Sequence, residues 1–84
     1  MRHAQAGALG ELEPLLVELR TIPGLTERGP GRFYRGSNAF LHFHEDASGT
    51  HADLKVDGDW ERRRVATKGE QSALLARAKA VARQ

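Results

Sequence analysis

The run AFLHFHEDASGTHADLKV, residues 39–56, alternates apolar and polar side chains on both sides of a short break that ends in Gly49. Successive side chains of a strand point to opposite faces. The pattern therefore predicts a β-hairpin with one apolar face and one polar face. A hairpin cannot stand alone in water, so its apolar face must be covered by the rest of the chain.

Register decides which residues meet. With Ser48-Gly49 as the central turn residues, Phe43 faces Leu54 and Leu41 faces Val56. Leu41, Phe43, Ala52, Leu54 and Val56 then share the apolar face. His42, His44, Asp46, His51, Asp53 and Lys55 share the other, with Phe40 at its end. His44 lies opposite Asp53, and His51 opposite Asp46. A three-residue loop instead mixes apolar and charged groups on both faces, so the first register is preferred.

The flanking segments supply the cover. Leu9, Leu12, Leu16 and Leu19 form a helical stripe, with Pro14 in the first turn, and Pro23-Gly24 ends it. GLTERGPGRF reads as a loop, and RFYR as a short strand. Asp57-Gly58 is a second turn before a last strand, WERRRVA. A three-residue loop there puts Trp60 on the face of Leu54 and Val56, and Arg63 on the histidine face near Asp53. The alternative register reverses both. Thr67-Lys68-Gly69-Glu70 matches a capping box. Leu74, Ala78 and Val81 follow as the stripe of a C-terminal helix.

The order helix, strands, helix predicts an α+β domain over residues 1–84. Its antiparallel meander has three to four strands, and the N-terminal and C-terminal helices pack on one face. Residues 1–8 are expected to fray. The expected core is Leu12, Leu16, Leu19, Leu41, Phe43, Leu54, Val56, Leu74 and Val81.

Several function classes are excluded or weakened. There is no cysteine, so neither a disulfide nor a thiolate zinc site is available. No stretch approaches the roughly 20 apolar residues of a membrane span, and no secretory h-region opens the chain. The expectation is a cytoplasmic protein without a membrane partner. Net charge is +2, which by itself does not argue for nucleic acid. No phosphate loop, nucleophile elbow or HExxH is present.

The histidine face carries the candidate chemistry. His42, His44, His51, Asp53 and Arg63 are the candidate ligand- or partner-binding residues. His42, His44, His51 and Asp46 are the candidate metal ligands, because His-x-His projects two imidazoles from one side of a strand. Zinc or another divalent metal is the cofactor they would suit. The spacing completes neither a cupin motif, since Ser48 and Gly49 stand where its glutamate should, nor a histidine triad, since position 46 is Asp46. A solvated polar face with cross-strand ion pairs is the simpler reading. Arg28, Arg32, Arg35, Arg62, Arg63 and Arg64 with Phe33, Tyr34 and Trp60 offer a nucleic-acid reading that charge alone does not favour.

LRTIPGLTERGPGRFYRGSNAFLHFHED followed by ADLKV resembles the bacterial luciferase-like domain of unknown function. Pro23-Gly24, Arg32-Phe33, His42, His44, Ala52, Asp53 and Leu54 carry the resemblance. More weakly, the helix, the PG…E loop and the hairpin order are similar to YjbR/MmcQ-like domains, which are α+β units suggested to bind DNA. Neither resemblance implies an established reaction. The expectation is a binding module, more an interaction domain than an enzyme, that uses its histidine-bearing sheet face. A metal-dependent or histidine-based enzyme and a nucleic-acid-binding module are the rivals. The sheet face and edge are also the surfaces through which a homodimer would form.

Overall fold

The computed structural model describes residues 10–84 in full and residues 2–3 in backbone only. The elements are β1 (Arg2–His3), α1 (Glu13–Leu19), β2 (Leu25–Glu27), β3 (Phe33–Arg35), β4 (Asn38–Asp46), β5 (Gly49–Val56), β6 (Asp59–Arg64) and α2 (Lys68–Ala82). Strands β2 to β6 form an antiparallel meander in sequence order, and β1 pairs with β4 beyond the end of β3. The fold is α+β, as expected, but the meander has five strands rather than three or four. Most of the segment expected to fray lies outside the described residues. Arg2 and His3 are the exception, and they pair with Glu45 and His44.

The extra strand comes from GLTERGPGRF. Gly29 and Gly31 take positive φ, the Arg28 N–H donates to the Arg32 carbonyl at 2.8 Å, and the chain doubles back. Glu27 fixes this turn by accepting the Gly31 N–H at 2.9 Å and the Arg20 guanidinium at 2.6 Å. Glycine supplies the left-handed backbone that lets so short a loop close.

Both hairpin turns correct the expected registers. In the first, Asp46 pairs with Gly49, which leaves Ala47 and Ser48 in the centre. Asp46 Oδ1 accepts the Ser48 N–H at 2.8 Å and its hydroxyl at 2.6 Å. Aspartate at the first position and glycine at the fourth is the preference of a type I turn. The shift is two residues, so the faces survive while the pairs change. His42 lies opposite Asp53, His44 opposite His51, Phe43 opposite Ala52 and Leu41 opposite Leu54.

In the second turn only Asp57 and Gly58 are unpaired, with φ of 51° and 86°. Two successive positive φ values mark the type I′ turn whose twist matches a hairpin. The loop is one residue shorter than expected, so every side chain of β6 changes face. Trp60 joins Lys55 and Arg62 joins Asp53 on the histidine face, while Arg63 lies opposite Ala52 on the helix side.

The helices cover the face of Leu41, Phe43, Ala52 and Leu54. These residues join Leu12, Leu15, Leu16 and Leu19 of the α1 region and Leu74, Ala78 and Val81 of α2 in one buried cluster. Val56 is only partly buried against it. Phe33, Phe40, Ile22 and Val65 are buried beyond the expected list. Phe40 was expected on the histidine face. The register of β3 against β4 slips between Phe33 and Tyr34, so Phe40 is unpaired in a bulge and its ring enters the core.

The ends of α2 are secured separately. Thr67 and Glu70 form the expected capping box, with the Glu70 N–H donating to Thr67 Oγ1 at 3.1 Å and Glu70 Oε1 accepting the Thr67 N–H at 3.0 Å. At the other end Arg35 Nη2 donates to the Ala82 and Gln84 carbonyls at 2.7 and 2.6 Å. That cation also complements the helix dipole.

Leu54 is fully buried on β5, whereas Val17 is half exposed on α1. Leu54→Ala should lower the unfolding free energy by about 3 kcal/mol. Val17→Ala should change it by less than about 0.5 kcal/mol. Urea denaturation of the two variants checks the assignment of faces.

Candidate functional site

The face away from the helices is built by β3 to β6. His42 and His44 project from β4, and His51, Asp53 and Lys55 from β5. Trp60, Arg62 and Arg64 project from β6. By alternation from buried Phe33, Tyr34 of β3 lies on this face too.

Asp53 is its centre. It is the one buried charged residue among the described residues, only 5% exposed. Arg62 clamps it with two parallel bonds, Nε to Oδ1 at 2.8 Å and Nη2 to Oδ2 at 2.9 Å. His44 Nε2 stands 3.0 Å from Oδ2. The Arg62 bonds hold the Asp53 carboxyl below the usual carboxylate range. Burial opposes them, and the nearby charges of Arg62, His44 and His42 add smaller pulls in the same direction as the bonds. A buried carboxylate with two to three charge-assisted bonds stays ionised.

The rings form a row beside it. His42 meets His44 edge to face, with centroids 4.6 Å apart, and meets Trp60 at 4.5 Å. Lys55 Nζ lies 4.5 Å from the Trp60 centroid. Toward β2, the Arg28 guanidinium lies 5.2 Å from the Tyr34 centroid. Arg32, Tyr34 and His42 line a small cavity of about 150 Å³ between these groups. Trp60 is 43% exposed.

The expected site residues therefore divide. His42, His44 and Asp53 converge, with one donor atom of each within 4.8 Å of the others. His51 and Asp46 stand outside this group. Asp46 is bound to its own turn through Ser48, which also holds its carboxyl below the usual range. His51 Nδ1 is 3.9 Å from Asp46 Oδ1, too long for a hydrogen bond. Arg63 is on the opposite face, where its Nε donates to Glu61 at 2.9 Å. Arg77 of α2 reaches the same carboxylate at 3.2 Å. Arg62 takes the place that Arg63 was expected to hold. The signal was present in Asp57-Gly58, since an Asp-Gly pair between alternating strands specifies a two-residue turn.

Comparison of the chain with family models, with curated proteins and with solved structures finds no match. Among the described residues, no helix is long and apolar enough to cross a membrane.

A carboxyl held low in the folded state stabilises the fold above its unfolded pKa. That contribution is lost as pH falls through the folded value. Asp53→Asn should cost about 1–3 kcal/mol at neutral pH, because it replaces an ionised acceptor by a neutral one. The difference from the unaltered protein should shrink as the pH falls from about 5 toward about 2. Urea denaturation at a series of pH values reads both effects, and a constant difference would contradict the pairing.

Proposed function

We propose that the protein is a binding module that holds single-stranded nucleic acid across its outer sheet face. The observation behind this reading is the interleaving of rings and cations on that face. Tyr34, His42 and Trp60 supply the rings, and Arg28, Arg32 and Lys55 the cations. Rings stack on bases whatever their sequence, and cations between them meet the phosphates.

Charge accounting supports the same reading. Of the acidic groups on this face, Asp53 is neutralised by Arg62, while Asp46 keeps its charge at the turn, where it is bonded to Ser48. Arg28, Arg32 and Lys55 form no ion pair among the described residues. The outer face therefore has spare positive charge even though the chain as a whole carries only +2. Four of the six arginines that the sequence offers for this purpose are engaged: Arg35 caps α2, Arg62 pairs with Asp53, Arg63 with Glu61 and Arg64 with Glu70.

Fluorescence anisotropy of a labelled DNA strand of about twelve nucleotides tests the proposal. Saturable binding is expected at low salt, and the logarithm of the affinity should fall linearly with the logarithm of salt concentration. Trp60→Ala should weaken binding about 5- to 150-fold, the loss of one stacked base. Arg63→Ala, on the helix side, should leave it unchanged. Lack of saturable binding at low salt would overturn the proposal.

A further inference from the structure

We propose that His42, His44 and Asp53 form a site for one divalent transition-metal ion of the zinc or cobalt type. The inference shares His42 with the nucleic-acid reading but does not depend on it, because it rests on the donor atoms of His42, His44 and Asp53 and needs no second ligand. It also replaces the ligand set expected from sequence, in which His51 and Asp46 stood where Asp53 now does.

Three observations carry it. First, the backbone aims all three groups at one point. His42 and His44 are two apart on β4 and share a face, and Asp53 of β5 lies directly opposite His42. Their donor atoms come within 4.8 Å of one another. Second, one edge of the triangle already has metal-ligand dimensions. His44 Nε2 and Asp53 Oδ2 are 3.0 Å apart. Ligands bound at about 2.1 Å stand about 3.0 Å apart at right angles and about 3.4 Å apart in a tetrahedron. Bringing His42 to the same distance takes side-chain rotation on strands that are already paired. Third, the carboxylate is oriented by another group. Arg62 grips Asp53 through both oxygens, as outer partners of metal ligands commonly do.

The chemistry of the set selects the ion. Two imidazoles and one carboxylate favour borderline metals over calcium or magnesium, which prefer all-oxygen surroundings. The ion takes over the contact between His44 and Asp53, accepting lone pairs from Nε2 and Oδ2. Nε2 must give up any proton it holds in that contact: a neutral imidazole carries it on Nδ1 instead, and an imidazolium releases one proton to solvent. Arg62 keeps Oδ1 through its Nε. Three protein ligands leave at least one position for water or an added ligand.

Trp60, the only tryptophan of the chain, has its ring 4.5 Å from His42 and reports on the site. Titration of the unaltered protein with cobalt, without nucleic acid, should quench Trp60 fluorescence and give a visible absorption band at one equivalent. Zinc should displace the cobalt. In proton NMR, stoichiometric zinc should move the His42 and His44 ring signals and leave those of His51 in place. His42→Ala and His44→Ala should each weaken binding by at least about tenfold, while His51→Ala should not. Absence of saturable cobalt binding at tenfold excess would overturn the proposal. So would an equal shift of all the histidines, or equal weakening by His51→Ala. Because no oligonucleotide is present, failure here leaves the nucleic-acid reading standing, and binding of DNA in the presence of a chelator would show the two to be separate.

Discussion

The buried carboxylate of Asp53 is the constraint around which the outer face is organised. A charge removed from water on β5 is strongly unfavourable unless neighbours replace the lost hydration. Arg62 on one side and His44 on the other do so, at 2.8–3.0 Å. This arrangement joins β4, β5 and β6 by side chains as well as by backbone. It also fixes where the other polar groups go. With Arg62 drawn to Asp53, Trp60 two residues earlier must share that face. His42, across β5 from it, then packs against its ring.

The helix side obeys a different demand. Its residues form one apolar cluster shared by the strands, α1 and α2, and the polar groups at its margin are paired locally. Glu61 lies between Arg63 and Arg77, Glu27 between Arg20 and the Gly31 N–H, and Arg35 on the last carbonyls of α2. None of these margin groups is spare for a ligand. Exposed Trp60 lies on the outer face with Arg28, Arg32 and Lys55, which form no ion pair among the described residues, and both functional proposals are placed there.

Much of the fold was legible because it depends on patterns that survive small errors. The alternation of residues 39–56 assigns faces whatever the exact turn, since a two-residue shift leaves each side chain on its own side. Leu12, Leu16 and Leu19 read as a stripe because helix period is independent of the sheet. The capping box at Thr67 and Glu70 is legible because it is local. The site was less legible because it depends on pairs. Whether Asp53 meets His42 or His44, and whether it meets Arg62 or Arg63, turns on one or two residues of loop length. Reading Gly49 as a central residue of the first turn, and a third residue into the second, misplaced both sets of partners. The strand β2 was missed because Leu25–Glu27 is too short to show a period and lies among turn-forming residues.

The sequence by itself determined that this chain is an α+β domain with His42, His44 and His51 on the side of the sheet opposite Leu41 and Leu54. Period-two and helical patterning act through nearest neighbours along the chain, and such information is complete in one dimension. Only the tertiary structure decided that Asp53 rather than Asp46 joins His42 and His44, that Arg62 rather than Arg63 holds it, and that Phe40 turns inward. Each of these depends on which residues lie opposite one another across the sheet. That is set by the turn geometry, by a bulge and by the need to satisfy a buried charge, all of which require the strands to be paired before they can act.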